Sequence, residues 1–280
     1  MLNDISFGQY YPGNSLMHRL DPRMKILLTV AYIVFAFVAK VAPSVLLVTA
    51  LLAVLLACSG TPLRMYLRTL KSIWFIIVLT SVINALYVTG GTVLVQFWKI
   101  TITTNGLLTA VYMSLRICLL ILCSSMLTYT TSPSQLTDAI ERLFSPLAAL
   151  HLDVHALAMM MTIALRFIPT LIEETEKILA AQKARGADLE SGGLMSRAKA
   201  LIPILIPLLI SSFRRAAELA DAMECRCYHG GEGRTRYKKM QIGRRDIVLA
   251  VVFVLVLAGI IWLNANASGV VYRLLWGGSL

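Results

Sequence analysis

GLLTAVYMSLRICLLILCSSMLTY, residues 106–129, runs for 24 residues with Arg116 as its one charge. As a helix it reaches roughly 36 Å, enough to cross a hydrocarbon core of about 30 Å. It does not stand alone. Met24 to Ala39, Pro43 to Cys58, Ile73 to Val88 and Ile247 to Leu263 are further apolar runs that approach the same length. Lys40 to Ser44, with Pro43, reads as a turn between the first two. Composition agrees, with 58% hydrophobic and 15% charged residues, against roughly one quarter charged in soluble domains. The reading is an all-α membrane protein with about five transmembrane helices.

A polar segment with Asp4 precedes the first span, whereas a signal peptide would place a basic region and a short apolar stretch there. The mature chain is therefore expected to start at or near Met1. Cys58, Cys118 and Cys123 fall in or beside spans, and Cys225 and Cys227 lie in a basic segment, so no disulfide framework is indicated.

Lys and Arg near a membrane favour the cytoplasmic side. With five spans, one side collects Arg19, Arg23 and Lys25, then Arg64, Arg68 and Lys71, then sixteen more between Thr130 and Arg245. The other side receives Lys40, Lys99 and Arg273. This places the N-terminus in the cytoplasm of a multi-pass protein of the plasma membrane. The net charge of +11 then serves orientation and attraction to the anionic lipid bilayer, and nucleic acid is not an expected partner.

Between Asp21 and Asp138 there is no Asp or Glu, and none follows Asp246. Ion-driven carriers need intramembrane acids or histidines, so that class is disfavoured. Arg116 must find carbonyls, an amide such as Asn84, water or another chain, in a structural or partner-facing role.

The stretch 131–245 is too long for a loop and too apolar for disorder. Three domains result: 1–130 with the first four spans, 131–245 as a cytoplasmic helical domain, and 246–280 with the last span. The middle part reads as three helices. The first, Ser134 to His151, has a break at Pro146. The second, about His155 to Leu189, carries Leu165, Ile168, Ile172 and Leu179 on one stripe and Glu173 and Lys177 on its outer surface. The third runs from about Ser196 to Tyr228. Its half from Leu201 to Ser212 is apolar all round, bent by Pro203 and Pro207 and suited to burial, while Arg214, Glu218, Asp221 and Glu224 make the rest amphipathic.

Were both long helices to cross the membrane, Lys177, Lys183, Arg185, Arg197 and Lys199 would move outside, against the orientation rule. They are read instead as rods near the membrane surface, each roughly 50 Å long. Ala184, Arg185 and Gly186 close one; Cys225, Arg226 and Cys227 close the other. An arginine at a helix C-terminus has a plain explanation in the helix dipole. A matched pair is also what docking onto a two-lobed partner requires, since guanidinium forks suit carboxylates and exposed carbonyls.

Ala181-Gln-Lys-Ala-Arg-Gly-Ala187 and Ala222-Met-Glu-Cys-Arg-Cys-Tyr228, followed by Arg234-Thr-Arg-Tyr237, resemble the two signature regions of the transmembrane T component of energy-coupling factor transporters. Tyr11-Pro-Gly-Asn-Ser15, His18-Arg-Leu-Asp-Pro-Arg23, Thr130-Thr-Ser-Pro133, Leu165-Arg-Phe-Ile-Pro169 and Arg214-Arg215 fall in the order of that family. The resemblance implies a vitamin or metal importer built from this subunit, a small substrate-binding membrane protein (the S component) and two cytoplasmic ABC-type ATPases. It implies that the two long helices cross and that Ala184, Arg185, Gly186, Cys225, Arg226 and Cys227 couple to the ATPases. It further implies that the apolar surface, here Leu165, Ile168, Ile172, Leu201, Leu205 and Leu208, holds the substrate-binding protein. The chain itself would bind no cofactor, ATP and Mg belonging to the ATPases, and would not be an enzyme. The second signature departs from the family at Cys225 and Cys227, which stand where Ala and Gly are usual. Cys227 tolerates a left-handed helix end less well than Gly, which predicts altered backbone or strain.

Cys225, Cys227 and His229 have ligand chemistry but no second Cys pair or fourth ligand, so no metal is expected. Glu190-Ser-Gly-Gly-Leu194 reads as a turn between the rods, and Gly230, Gly231 and Gly233 read as a loop. The chain has no phosphate-binding G-x-x-x-x-G-K-[ST], so it is not the ATPase. The rival reading is a conventional ABC permease with its own substrate path.

Overall fold

A helix that opens with Asp and Pro and continues in apolar residues needs little more than a cap. Asp21 supplies it, its carboxylate accepting the Arg23 amide at 2.9 Å with Pro22 just inside the first turn. Helix α1 (Pro22–Val38) follows. The computed structural model describes residues 10–88, 90, 92–97, 100–146, 154–187, 193–230 and 242–267. After α1 come α2 (Ala42–Ser59), α3 (Leu63–Tyr87), β1 (Val93–Phe97), β2 (Ile100–Thr103), α4 (Thr104–Thr130), α5 (Pro133–Phe144), α6 (Val154–Ala184), α7 (Leu194–Glu224) and α8 (Arg244–Ala267). The fold is all-helical apart from the antiparallel β1–β2 ribbon, with Phe97 opposite Ile100. That ribbon is a feature the sequence reading did not contain. Its residues are rich in Val, Ile and Thr, which favour extended backbone.

Five helices, α2, α3, α4, α6 and α8, are long and apolar enough to cross a bilayer. The number agrees with the sequence reading, but the membership differs. Helix α1 has only 17 residues, about 26 Å of rise. Helix α6 qualifies through its first half, where Arg166 is the lone charge before Glu173. Three boundaries also differ. Helix α5 ends at Phe144, α6 stops at Ala184 instead of near Leu189, and α7 stops at Glu224 instead of near Tyr228. His151, Leu189, Gly231, Gly233 and the stretch from Arg234 to Tyr237 lie outside the described residues.

The chain divides into two compact units, one holding α1–α4 and α8, the other α5–α7. In the first, Tyr32 and Phe35 of α1, Val48 and Leu52 of α2, Cys123 and Met126 of α4, and Phe253 and Ile260 of α8 form the buried core. Helix α3 buries only Tyr66 and leaves Trp74, Phe75, Leu79 and Ile83 exposed. Such a surface suits lipid.

Arg116 is settled by this packing. Its Nη2 donates to the Ala39 carbonyl at 3.1 Å, at the C-cap of α1, and its guanidinium lies 5.7 Å from the Phe37 ring centroid. Asn264 of α8 donates to the neighbouring Val38 carbonyl at 2.9 Å. The end of α1 has no basic residue in its own last turn, so α4 and α8 supply the donors its orphan carbonyls lack. Asn84 is not the partner of Arg116; it donates to Thr80 of its own helix at 2.8 Å.

The N-terminal motif is a staple. The His18 ring joins Ser15 Oγ at 2.6 Å to the Tyr11 carbonyl at 2.8 Å, and the Tyr11 amide donates to Tyr129 at the end of α4 at 2.9 Å. Lys25 Nζ donates to the Thr130 carbonyl at 2.9 Å, while Asp246 Oδ1 accepts the Asp21 amide at 2.9 Å. These contacts bind the starts of α1 and α8 to the end of α4.

Candidate functional site

A helix leaves its last carbonyls unpaired unless the chain turns back through a left-handed residue, a position that glycine fills without a steric penalty. At the end of α6, Gly186 takes φ +83°. The Gly186 amide then donates to Lys183 at 3.0 Å and the Ala187 amide to Gln182 at 3.0 Å. The end of α7 repeats the pattern residue for residue. The Cys227 amide donates to Glu224 at 2.8 Å and the Tyr228 amide to Met223 at 3.1 Å. Arg185 and Arg226 therefore occupy the same place in two equivalent caps, each directly before the left-handed residue.

Cys227 takes that conformation at φ +55°, the one positive φ outside glycine among the described residues. The sequence reading anticipated altered backbone or strain. The backbone follows the glycine geometry, and the strain is therefore present, on the order of 1 kcal/mol for an L-residue. Ala184, Arg185, Gly186, Cys225, Arg226 and Cys227 are all exposed. A hollow of about 500 Å³ adjoins the second end, lined by Met159 and Ile163 of α6, Leu219 and Met223 of α7, and Arg226, Cys227 and Tyr228.

Helices α6 and α7 pack antiparallel, fixed by two polar contacts that the sequence reading missed. Pro207 has no N–H to offer the Pro203 carbonyl one turn before it. Gln182 Nε2 from α6 donates to that carbonyl at 3.3 Å. Glu174 lies beyond the apolar half of α6, and its carboxylate accepts from Ser211 Oγ and, at 3.0 Å, from Arg215 Nη2, one turn apart on α7. The Ser211 hydroxyl first, and Arg215 after it, hold the Glu174 carboxyl below the ordinary carboxylate range. The available signals were the proline pair and the Ser-x-x-x-Arg spacing; the facing positions on α6 cannot be read from one helix alone. His155 Nδ1, 3.0 Å from Glu141 Oε1, ties α5 to the first turn of α6.

This pairing sorts the apolar candidates. Ile204 is buried, and Leu208 falls on the same stripe of α7 as Ser211 and Arg215. Leu201 and Leu205 are instead 50% and 51% exposed, as are Ile202, Ile206, Leu209 and Ile210, all close to half exposed or more. The expectation that this half of α7 is buried is therefore not met among the described residues. On α6, Leu165, Ile168 and Ile172 are half-buried. Among the described residues no group of His, Cys, Asp and Glu is arranged to hold a metal.

These features define a class: a multi-pass helical membrane protein bearing a second helical unit whose long helices both end in an exposed, arginine-bearing cap. Residues 13–237 match the model of the CbiQ family, described as cobalt transport protein. The chain is 52% identical over 260 residues to the energy-coupling factor transporter transmembrane protein EcfT of Acidaminococcus fermentans, covering 91% of this chain and 96% of that protein. Identity to the protein of the same name from Ruminiclostridium cellulolyticum is 49% over 261 residues, covering 93% and 97%. For that of Listeria innocua it is 42% over 265 residues, covering 95% and 100%. The chain belongs to the EcfT family of energy-coupling factor transporter transmembrane proteins and is a transporter membrane subunit.

Proposed function

We propose that this subunit transmits motion from two cytoplasmic ABC-type ATPases, which carry ATP and Mg, to a separate substrate-binding membrane protein that imports a vitamin or other micronutrient. The observation that carries the reading is the equivalence of the two caps. Because Gln182 lies beside Pro203, Arg185 and Arg226 sit at opposite ends of the antiparallel pair, roughly 40 Å apart at 1.5 Å per residue. Two like ends at that spacing suit two like grooves, and each guanidinium has five donors for carboxylates or carbonyls there. A rod held by Glu174 and Gln182 moves as one body, so displacement at one end is felt along its length.

The outward apolar face of α7, from Leu201 to Ile210, is the surface assigned to the substrate-binding protein, with Leu165, Ile168 and Ile172 of α6. Covering the exposed half of each large side chain contributes on the order of 1 kcal/mol apiece. In this arrangement α1 crosses the membrane and α6 does not, so that the N-terminus and the α5–α7 unit are cytoplasmic, as the Lys and Arg distribution favours. The test is the double charge reversal Arg185→Glu with Arg226→Glu, followed by co-purification with the ATPases. Loss of the ATPases with normal membrane insertion is the expected result. Retention at wild-type levels with intact uptake refutes the coupling role. Robust uptake by the subunit and ATPases without a separate substrate-binding protein would instead favour a permease.

A further inference from the structure

Helix α8 begins with two arginines, Arg244 and Arg245. Arg244 and Arg245 are exposed, and neither guanidinium pairs with a carboxylate among the described residues. The adjacent Asp246 is 3% exposed and already engaged, its two oxygens accepting the Asp21 amide at 2.9 Å and the Gly243 amide at 2.7 Å. Both arginines line a groove of about 320 Å³ whose remaining wall is apolar, including Leu20, Val54, Leu55, Val248 and Val252. Along α8 the order is charge first, then Val248 and Val252 one and two turns on. Charge therefore marks one end of an apolar trough roughly 12 Å long.

The wall is continuous with exposed apolar surface on two helices that can span a bilayer. Val54 of α2 and Val248 of α8 are 60% and 63% exposed, and both helices are long and apolar enough to span. A soluble phosphate would leave the trough wet, and an apolar peptide would leave two cations unmatched. We propose that this groove holds one anionic phospholipid, its phosphate on Arg244 and Arg245 and an acyl chain along Val54, Val248 and Val252. The positive end of the α8 dipole adds to the attraction. The bound lipid joins the N-terminal segment, α2 and α8 beside the Asp21–Asp246 contact. The proposal does not depend on the coupling role of the arginine caps.

The test uses the full chain in nanodiscs of phosphatidylcholine doped with phosphatidylglycerol, extracted in mild detergent, with retained lipid identified by native mass spectrometry. The wild type is expected to keep one phosphatidylglycerol in preference to phosphatidylcholine. Arg244→Gln with Arg245→Gln should lower that retention roughly tenfold or more, two surface cations being removed. Val252→Trp, which fills the trough and leaves the charges, should lower it as well. Arg64→Gln with Arg68→Gln, outside the groove, should leave it unchanged. Equal retention of both lipids by the wild type overturns the proposal, as does unchanged retention in the Arg244 and Arg245 variant. Loss in the Arg64 and Arg68 variant to the same degree shows general surface attraction and equally overturns it.

Discussion

Replacing Cys227 by Gly should tighten the end of α7, although it removes a side chain. A left-handed conformation costs an L-residue about 1–2 kcal/mol. Glycine avoids that but forfeits about 0.5–1 kcal/mol through the greater freedom of its unfolded chain. The net gain at the cap is about 0.7 kcal/mol, a factor of roughly three in the local opening equilibrium. Hydrogen exchange followed by mass spectrometry reads this directly, since the Cys227 and Tyr228 amides are the donors that close the cap. Their exchange should slow about threefold in the glycine variant. Cys227→Ala keeps the Cβ and the strain, so its protection should match the wild type and separate loss of the thiol from relief of the backbone. The reciprocal change, Gly186→Ala, tests the same geometry on α6. A Cβ at Gly186 meets nothing within 4 Å, so its penalty is torsional, again about 1 kcal/mol, and the Gly186 and Ala187 amides should exchange faster. If Cys227→Gly leaves exchange unchanged or speeds it, Cys227 is not strained and the equivalence of the two caps is lost.

Two further outcomes follow from the packing. Glu174→Gln should loosen α6 from α7 by about 1 kcal/mol, a modest value because the pair is partly exposed. The Glu174 carboxyl is depressed, so its contribution is full above the unfolded value of about 4.3 and fades as pH falls through the lower folded one. Thermal unfolding below that pH should bring wild type and Glu174→Gln together; a constant gap there would refute the ion pair. Arg116→Gln should uncap α1 and lower stability in lipid by about 1 kcal/mol. An unchanged unfolding temperature would mean that Asn264 satisfies the helix end alone.

The sequence by itself determined the solvent, the helix inventory and the two arginine ends. A run of apolar residues the length of a bilayer has few other stable settings, and a helix end is a local event governed by the few residues around Arg185 or Arg226. Hydrophobicity also located the apolar half of α7, but not which side of it is covered, since a stretch that is apolar all round carries no periodic mark. Tertiary structure decided that, by setting Ser211 and Arg215 against Glu174 and leaving Leu201 and Leu205 outward. It likewise chose Ala39 over Asn84 as the partner of Arg116, and joined Lys25 to Thr130 across a sequence gap of 105 residues. Such choices depend on which helices meet and at what height, and no single helix contains that information.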